Sequence, residues 1–239
     1  MQQYFVEKIN GEYRLNEKDL YHLKVVMRVK DNDEICVIYD NNAYVCTFHH
    51  NNSDYYLTEL YKLNNNPELN KHITLYQALI RNENFDLVIQ KSTELGVSTI
   101  IPTIFERNVV KLTEDKLESK IKRFNTIAKS ASEQSRRLII PEVLKPIKIK
   151  DITLEENEIG LVAYEKDENT KSLYELEDLI NSSSKVSIVI GPEGGITPQE
   201  YKTLLDKGFK SISLGKRILR SETASLSLLS ILDYIIEMK

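Results

Sequence analysis

This chain of 239 residues contains few cysteines and no long apolar run. Its two cysteines, Cys36 and Cys46, are too few for a disulfide scaffold or for a zinc site made of cysteines. The longest apolar stretch, residues 224–236, is interrupted by serines and by Asp233, so it is too short and too polar to span a bilayer. These shortages favour a cytoplasmic protein with reduced cysteines and exclude a membrane-spanning helix.

Several sequence signals of other protein classes are also missing. The N-terminus has no basic region followed by an apolar run, so we expect no secretory signal. No cluster of histidine and cysteine indicates a metal site, and we expect no metal. The Walker pattern needs four residues between its glycines, whereas Gly191 and Gly195 have three between them; the dinucleotide fingerprint is absent as well.

The net charge of −4 is unevenly distributed along the chain. Residues 106–150 hold 12 Lys and Arg against 6 Asp and Glu, whereas residues 151–184 hold 2 against 10. A basic face of this kind can meet phosphates although the average charge is acidic. On charge alone, however, a solvated helix of mixed charge is the better interpretation.

The first part of the chain is typical of a small β-barrel. Its β-branched and aromatic runs are residues 4–6, 34–39, 43–48 and 55–60. A helix is predicted between the first two, over residues 17–26. The polar, proline-containing stretch 63–68 predicts a boundary between domains 1–68 and 69–239.

After this boundary, strands alternate with helices. The predicted strands are residues 73–79, 98–104, 160–164, 185–190 and 211–214. The predicted helices are residues 85–95, 113–136, 172–180, one that begins with a capping box at Thr197 and Glu200, and 222–237. This alternation predicts an α/β domain with a mostly parallel sheet, in which ligands bind beyond the carboxyl ends of the strands.

Two glycine-bearing loops follow strands near the end of the chain. The first is Gly191-Pro-Glu-Gly-Gly195, and the second begins the stretch Leu214-Gly-Lys-Arg-Ile-Leu-Arg-Ser-Glu-Thr-Ala224. Glycine allows main chain to approach a ligand closely, so the pair predicts a small-molecule pocket on neighbouring strands. The alternative is a pair of tight turns that need glycine for steric reasons alone.

These loops and three other stretches resemble the RsmE-type ribosomal RNA uridine-N3 methyltransferases, which belong to the SPOUT class. The other stretches are Gln90-Lys-Ser-Thr-Glu-Leu-Gly-Val97, Ser132-Glu-Gln-Ser-Arg-Arg137 and His22-Leu-Lys-Val-Val-Met-Arg28. The resemblance covers nearly the whole chain. It implies a trefoil knot in the C-terminal sheet, a PUA-like RNA-binding barrel at the N-terminus and a homodimer.

The resemblance also implies S-adenosyl-L-methionine as the methyl donor. Its adenine would lie between the two loops, which main-chain groups would line. The implied cofactor contacts are Gly191, Pro192, Glu193, Gly194, Gly195, Leu214, Gly215, Ile218 and Leu219. The methyl acceptor would be N3 of a specific uridine in 16S ribosomal RNA, within a small ribosomal subunit that is partly or fully assembled.

Methylation of N3 requires removal of a weakly acidic proton or stabilisation of charge on the ring. A carboxylate could accept the proton and an arginine could bind a ring oxygen. Candidates are Arg220, Glu94 and Glu222, with Lys91 as a possible helper. Lys91 and Glu94 could equally form a surface pair on a helix, and Glu222 could merely favour a helix N-terminus. Arg220 is the strongest candidate, because a charged residue that enters a buried loop usually has a partner.

The candidates for RNA contact are His22, Arg28, Arg107, Arg136 and Arg137. A satisfied histidine inside the barrel domain is an equal alternative for His22. The chain departs from the family pattern at Gln2-Gln3, at Asn32-Asp33 and at Arg136, which replaces a glycine. Two other functions stay open: an RNA-binding module without catalysis, and a nucleotide-binding hydrolase that uses the glycine loops.

Overall fold

The computed structural model describes residues 2–50, 54–110, 114–164 and 170–237. The chain divides into two compact units. The first contains residues 1–68 together with Ser132–Ile139, which the sequence prediction assigned to the second domain, and the second contains Leu69–Ala131 and Ile140–Lys239.

The described residues of the first unit form β-strands, a short helical segment over residues 17–26 and, in Ser132–Ser135, the end of a longer helix. Its strands are β1 (Gln3–Phe5), β2 (Glu7–Ile9), β3 (Glu12–Arg14), β4 (Glu34–Tyr39), β5 (Asn42–His50) and β6 (Tyr55–Lys62). A sheet in the order β1-β4-β5-β6 is accompanied by the β2–β3 hairpin. Both two-residue hairpin loops, Asn10-Gly11 and Asp40-Asn41, have positive φ angles, as type I′ turns require.

The predicted helix over residues 17–26 forms, but in two parts. Helix α1 (Glu17–Tyr21) begins at Asn16, whose side chain accepts a hydrogen bond from the Asp19 backbone, and it continues as a π-helical turn over His22–Val26. Leu23 from this turn is buried with Tyr4 and Phe48 in the core of the sheet. Cys36 and Cys46 are both buried and free.

The second unit has a seven-stranded sheet. Its strands are β7 (His72–Ala78), β8 (Thr99–Ile104), β9 (Glu142–Val143), β10 (Ile147–Lys148), β11 (Glu158–Ala163), β12 (Lys185–Ile190) and β13 (Lys210–Ile212). The order is β10-β8-β7-β12-β11-β13, with β9 also paired to β8. Every described pair in this sheet is parallel, which confirms the predicted mostly parallel α/β sheet.

Helices cover both faces of this sheet. They are α2 (Asn82–Glu94), α3 (Glu114–Ser135), α4 (Glu177–Ser182), α5 (Pro198–Asp206) and α6 (Ser221–Glu237), with short 3-10 turns at Ile149–Asp151 and Tyr174–Leu176. Alternate residues of each strand face opposite layers. On β12, for example, Ile188 joins the core beneath α2 and α6, whereas Val189 joins the core beneath α5.

Most predicted helix ends are confirmed. Thr197 and Glu200 form the expected capping box of α5, and Gly96 follows α2 with a positive φ of 82°. The predicted helix over residues 172–180 is a 3-10 turn followed by α4. Thr113, the predicted start of α3, lies outside the described residues. Within the described ranges no helix is both long and apolar enough to cross a membrane.

Candidate active site

The two glycine loops lie at the same edge of the parallel sheet. The first follows β12 and the second follows β13. These strands are not neighbours as the sequence suggested, because β11 lies between them. Two strand spacings separate the ends of these strands by roughly 10 Å.

Neighbouring protein atoms explain two of the glycines. A Cβ added to Gly191 would lie 2.6 Å from Ile196 Cγ1, and one added to Gly194 would lie 2.9 Å from Arg107 Cβ. Arg107 also donates from Nη1 to the Gly194 carbonyl at 3.3 Å. Gly191 and Gly194 are therefore required by the packing of their own protein, which favours the steric alternative at these two positions.

Gly215 in the second loop is different. Its φ is 105°, and an added Cβ would meet no atom within 4 Å. Main chain at this position is open to the space beyond the sheet, as a ligand-binding loop requires.

Several other predicted cofactor contacts lie around these glycines. Pro192 is buried and its carbonyl accepts a 2.8 Å hydrogen bond from Gly195 N, which closes the turn that carries the exposed Glu193. In the second loop, Leu214 and Leu219 pack partly against the core, whereas Ile218 is 87% exposed.

A buried polar network joins the first loop to the residue that follows the second loop. Ser221 Oγ donates to the Gly191 carbonyl at 2.7 Å and lies 2.9 Å from Gln77 Nε2. Ser225 Oγ contacts the other end of the same amide, Gln77 Oε1. Sequence reasoning missed Gln77 and Ser225; the available signal was an amide in an otherwise largely apolar strand.

Glu222 stands beside this network in the first turn of α6. It is 9% exposed, and its Oε1 accepts a hydrogen bond from Asn84 Nδ2 at 3.2 Å. Its Oε2 is buried and has no hydrogen-bond partner among the described residues. A buried carboxylate oxygen without a donor is costly, which makes Glu222 a candidate acceptor for a ligand group or a proton.

Arg220 reaches the same edge, but its surroundings differ from the expectation. The prediction assumed a buried loop that would supply a partner. Residues 215–218 and Arg220 are exposed, and no described residue forms an ion pair with the Arg220 side chain. The guanidinium is therefore exposed and available to an incoming substrate.

Glu94 is not brought to this edge. It lies in the last turn of α2, just before the amino end of β8, and pairs with Lys91 at 2.9 Å. The glycine loops are at the carboxyl end of the sheet. The length of a six-residue strand, roughly 20 Å, separates the two ends. Within one copy of the chain, Lys91 and Glu94 therefore form a local helix pair outside the candidate site.

Comparison with known proteins gives the site its context. A family model for the RNA methyltransferase domain matches residues 67–233. Relatives named ribosomal RNA small subunit methyltransferase E are 35% identical in Mesomycoplasma hyopneumoniae, over 96% of this chain and 98% of the relative, and 31% identical in Bacillus subtilis, over 100% and 98%. The chain belongs to the ribosomal RNA small subunit methyltransferase E family.

A solved structure of a family member supports the same assignment. The ribosomal RNA small subunit methyltransferase E from Neisseria gonorrhoeae, bound to S-adenosyl methionine, matches with a TM-score of 0.86 and 28% identity, over 98% of each chain. The described residues of the present family member contain no group of three or more His, Cys, Asp or Glu side chains that could hold a metal ion.

Three of the RNA-contact candidates of this methyltransferase family member are exposed: Arg28, Arg107 and Arg136. His22 is half-buried, and its Nδ1 lies 3.0 Å from the hydroxyl of Tyr4. Burial raises the pKa of Tyr4, so this hydroxyl keeps its proton and can donate to the ring. The geometry favours the alternative for His22, namely a histidine whose ring is hydrogen-bonded within the first unit and does not contact RNA.

Arg137 is not available for RNA. It is 4% exposed, and its Nε and Nη2 donate to Glu68 Oε2 at 3.0 and 2.6 Å. Glu68 Oε1 also accepts from the backbone of Leu138 and Ile139, and Gln3 donates to the Arg137 carbonyl at 2.6 Å. The prediction that Arg137 contacts RNA is therefore corrected: this arginine is a buried structural residue of the first unit.

Proposed function

We propose that this protein transfers a methyl group from S-adenosyl-L-methionine to N3 of a specific uridine in 16S ribosomal RNA. The observation that carries the proposal is the placement of both glycine loops at one carboxyl edge, in a chain of this family. The relatives' names support ribosomal RNA of the small subunit as the substrate, and the Neisseria structure supports the cofactor.

The finer features of the fold belong to the same proposal. The second unit would hold a trefoil knot, since α6 follows edge strand β13 and returns to pack on α2, β7 and β12. The segment before α4 pairs with β13 through Lys171 and Ile212, so chain lies on the outer side of that strand. The first unit, with its four-stranded sheet and hairpin, would be a PUA-like RNA-binding barrel.

The residues at the carboxyl edge fit the proposed chemistry. Bound S-adenosylmethionine supplies an electrophilic methyl group on its sulfonium. The free Oε2 of Glu222 would accept the N3 proton, and the exposed guanidinium of Arg220 would bind a uracil oxygen as negative charge develops. Exposed Arg107, Arg28 and Arg136 would contact phosphates.

A calorimetric titration with S-adenosylmethionine and with ATP separates this proposal from its rivals. We expect saturable binding of S-adenosylmethionine only. Binding of ATP but not of S-adenosylmethionine would favour a nucleotide hydrolase. A protein that binds ribosomal RNA but does not bind S-adenosylmethionine would be a non-catalytic module.

The substrate assignment is tested by mass spectrometry of nucleosides from small-subunit ribosomal RNA. Cells that lack the protein should lose N3-methyluridine, and complementation with the wild-type chain should restore it. Complementation with Glu222→Gln should fail, although this variant keeps the shape of the side chain. Persistence of N3-methyluridine in the deletion strain would contradict the assignment.

A further inference from the structure

The buried network around Gln77 has a fixed direction of hydrogen bonding. Gln77 Nε2 lies 3.2 Å from the Ala78 carbonyl and 2.9 Å from Ser221 Oγ. A carbonyl can only accept, so the NH₂ end of the amide must face Ala78 and Ser221, and the reverse orientation would place two acceptors together. Oε1 then faces Ser225 Oγ, whose single proton is shared between Oε1 and the Ser221 carbonyl at 3.0 Å.

This direction determines where the Ser221 proton goes. A serine hydroxyl has one proton, and its oxygen already accepts from Gln77 Nε2. The proton is therefore directed to the Gly191 carbonyl, 2.7 Å away. Gln77 and Ser225 are fully buried and Ser221 nearly so, so water does not compete for these bonds.

The hydrogen bond from Ser221 to Gly191 joins different parts of the candidate site. Gly191 is the first residue of the first glycine loop, and Ser221 follows the second loop directly. Gln77 is paired in register with Ile190, the residue before Gly191, on the adjacent strand. The sheet thus holds the amide in place at the start of the first loop.

We infer that Gln77 is a positioning residue for the cofactor pocket: by orienting the Ser221 hydroxyl toward the Gly191 carbonyl, it sets the separation of the two glycine loops. The inference rests on the proposed function, since the ligand between the loops is S-adenosylmethionine. Gln77 belongs to β7 and to neither glycine loop, so it acts on the pocket through Ser221.

The test is Gln77→Glu, which replaces only the NH₂ group by oxygen. In its ionised form the new carboxylate accepts the Ser221 proton, which then no longer reaches Gly191; the titrations are run at alkaline pH, because burial raises the pKa of a carboxyl at this position. We expect S-adenosylmethionine to bind roughly 3- to 10-fold more weakly by calorimetry, the effect of losing one hydrogen bond. Ser221→Ala removes the same donor and should weaken binding equally, whereas Ser221→Thr keeps the hydroxyl and should retain wild-type affinity.

The double variant Gln77→Glu/Ser221→Ala decides the route. If Gln77 acts through Ser221, the double variant binds no more weakly than Ser221→Ala alone. Losses that multiply would overturn the inference. Where Gln77→Glu does not fold, Gln77→Met takes its place in the cycle, with a smaller loss expected because Ser221 keeps its proton but not its orientation.

Ser183→Ala is the matched control for stability. Like Ser221, Ser183 is a buried serine whose hydroxyl donates to a backbone carbonyl, in its case that of Leu179 at 2.7 Å, but it precedes the amino end of β12. It should lower the melting temperature without changing the affinity. An unchanged affinity in folded Gln77→Glu overturns the inference alone, whereas absence of binding by the wild-type protein overturns the proposed function.

Discussion

At the scale of single residues, the arginines of the Ser132–Arg137 stretch have opposite roles. Arg136 is exposed and has a φ of 62°, while Arg137 is buried against Glu68. Arg137 N bonds to the Ser132 carbonyl at 2.9 Å, so Arg136 occupies the left-handed position that ends a helix and usually contains glycine. The left-handed backbone at position 136 thus explains why the family pattern has glycine there.

We predict that Arg136→Gly stabilises the protein by about 1 kcal/mol, since the left-handed conformation costs an L-residue about this much. Urea denaturation measures the change. Arg136→Ala removes the same charge but keeps Cβ, so it should give no gain. Equal stabilisation by alanine and glycine would show that charge, not conformation, is responsible.

We predict that Arg137→Ala destabilises the protein by about 3 kcal/mol, because it leaves Glu68 buried without its cation. The two backbone donors that Glu68 retains keep the cost at the lower end of the usual range. Arg28→Ala, at an exposed position, should change the free energy of unfolding little. A loss below about 1 kcal/mol for Arg137→Ala would contradict the structural role.

At the scale of elements, the first glycine loop is held by the segment after β8. Glu106 N donates to Glu200 Oε1 at 2.7 Å, while Glu200 Oε2 completes the capping box with Thr197. One carboxylate therefore fixes both the start of α5 and the segment that carries Arg107. Because Gly194 packs on Arg107, the two segments are matched in shape as well.

We predict that Gly194→Ala destabilises the protein by about 1–3 kcal/mol, since the new methyl group would press on Arg107. Arg107→Gly in the same chain should recover part of this loss by making room for the methyl group. Thermal and urea unfolding of the two single variants and the double variant measure the coupling. Purely additive losses would mean that the packing of Gly194 on Arg107 is not what requires glycine.

At the scale of the whole molecule, helix α6 serves mainly the core of its own chain. Its apolar residues Leu226, Leu228, Leu229, Leu232 and Ile236 are more than one helix face requires, and such a surplus marks either an interface or a buried core helix. Leu228, Leu229 and Leu232 are buried within the second unit, so they do not form an exposed face. The apolar surface that α6 leaves exposed is Ile231 and Tyr234, 37% and 54% exposed and one helical turn apart.

We predict a homodimer that uses this remaining face of α6. Light scattering should give twice the monomer mass at micromolar concentration, and Ile231→Glu with Tyr234→Glu should give the monomer mass. Tyr174→Glu, at a residue 82% exposed outside α6, is the matched control and should remain dimeric. A wild-type monomer would contradict the prediction.

The sequence alone determined the features that depend on neighbouring residues. Strand and helix alternation, the capping box at Thr197 and the stop at Gly96 follow from local periodicity and turn chemistry. The position of both glycine loops at the carboxyl edge follows from the alternation itself, since each loop comes after a parallel strand.

Only the tertiary structure decided which distant residues meet. The insertion of β11 between β12 and β13, the burial of Arg137 on Glu68 and the approach of Gln77 to Ser221 join residues far apart in the chain. The order of strands in a sheet is set by the packing of whole elements, which no local pattern encodes. Glu94, by contrast, lies at the end of the helix before β8, so its place at the amino edge, opposite the glycine loops, follows from the alternation of strands and helices.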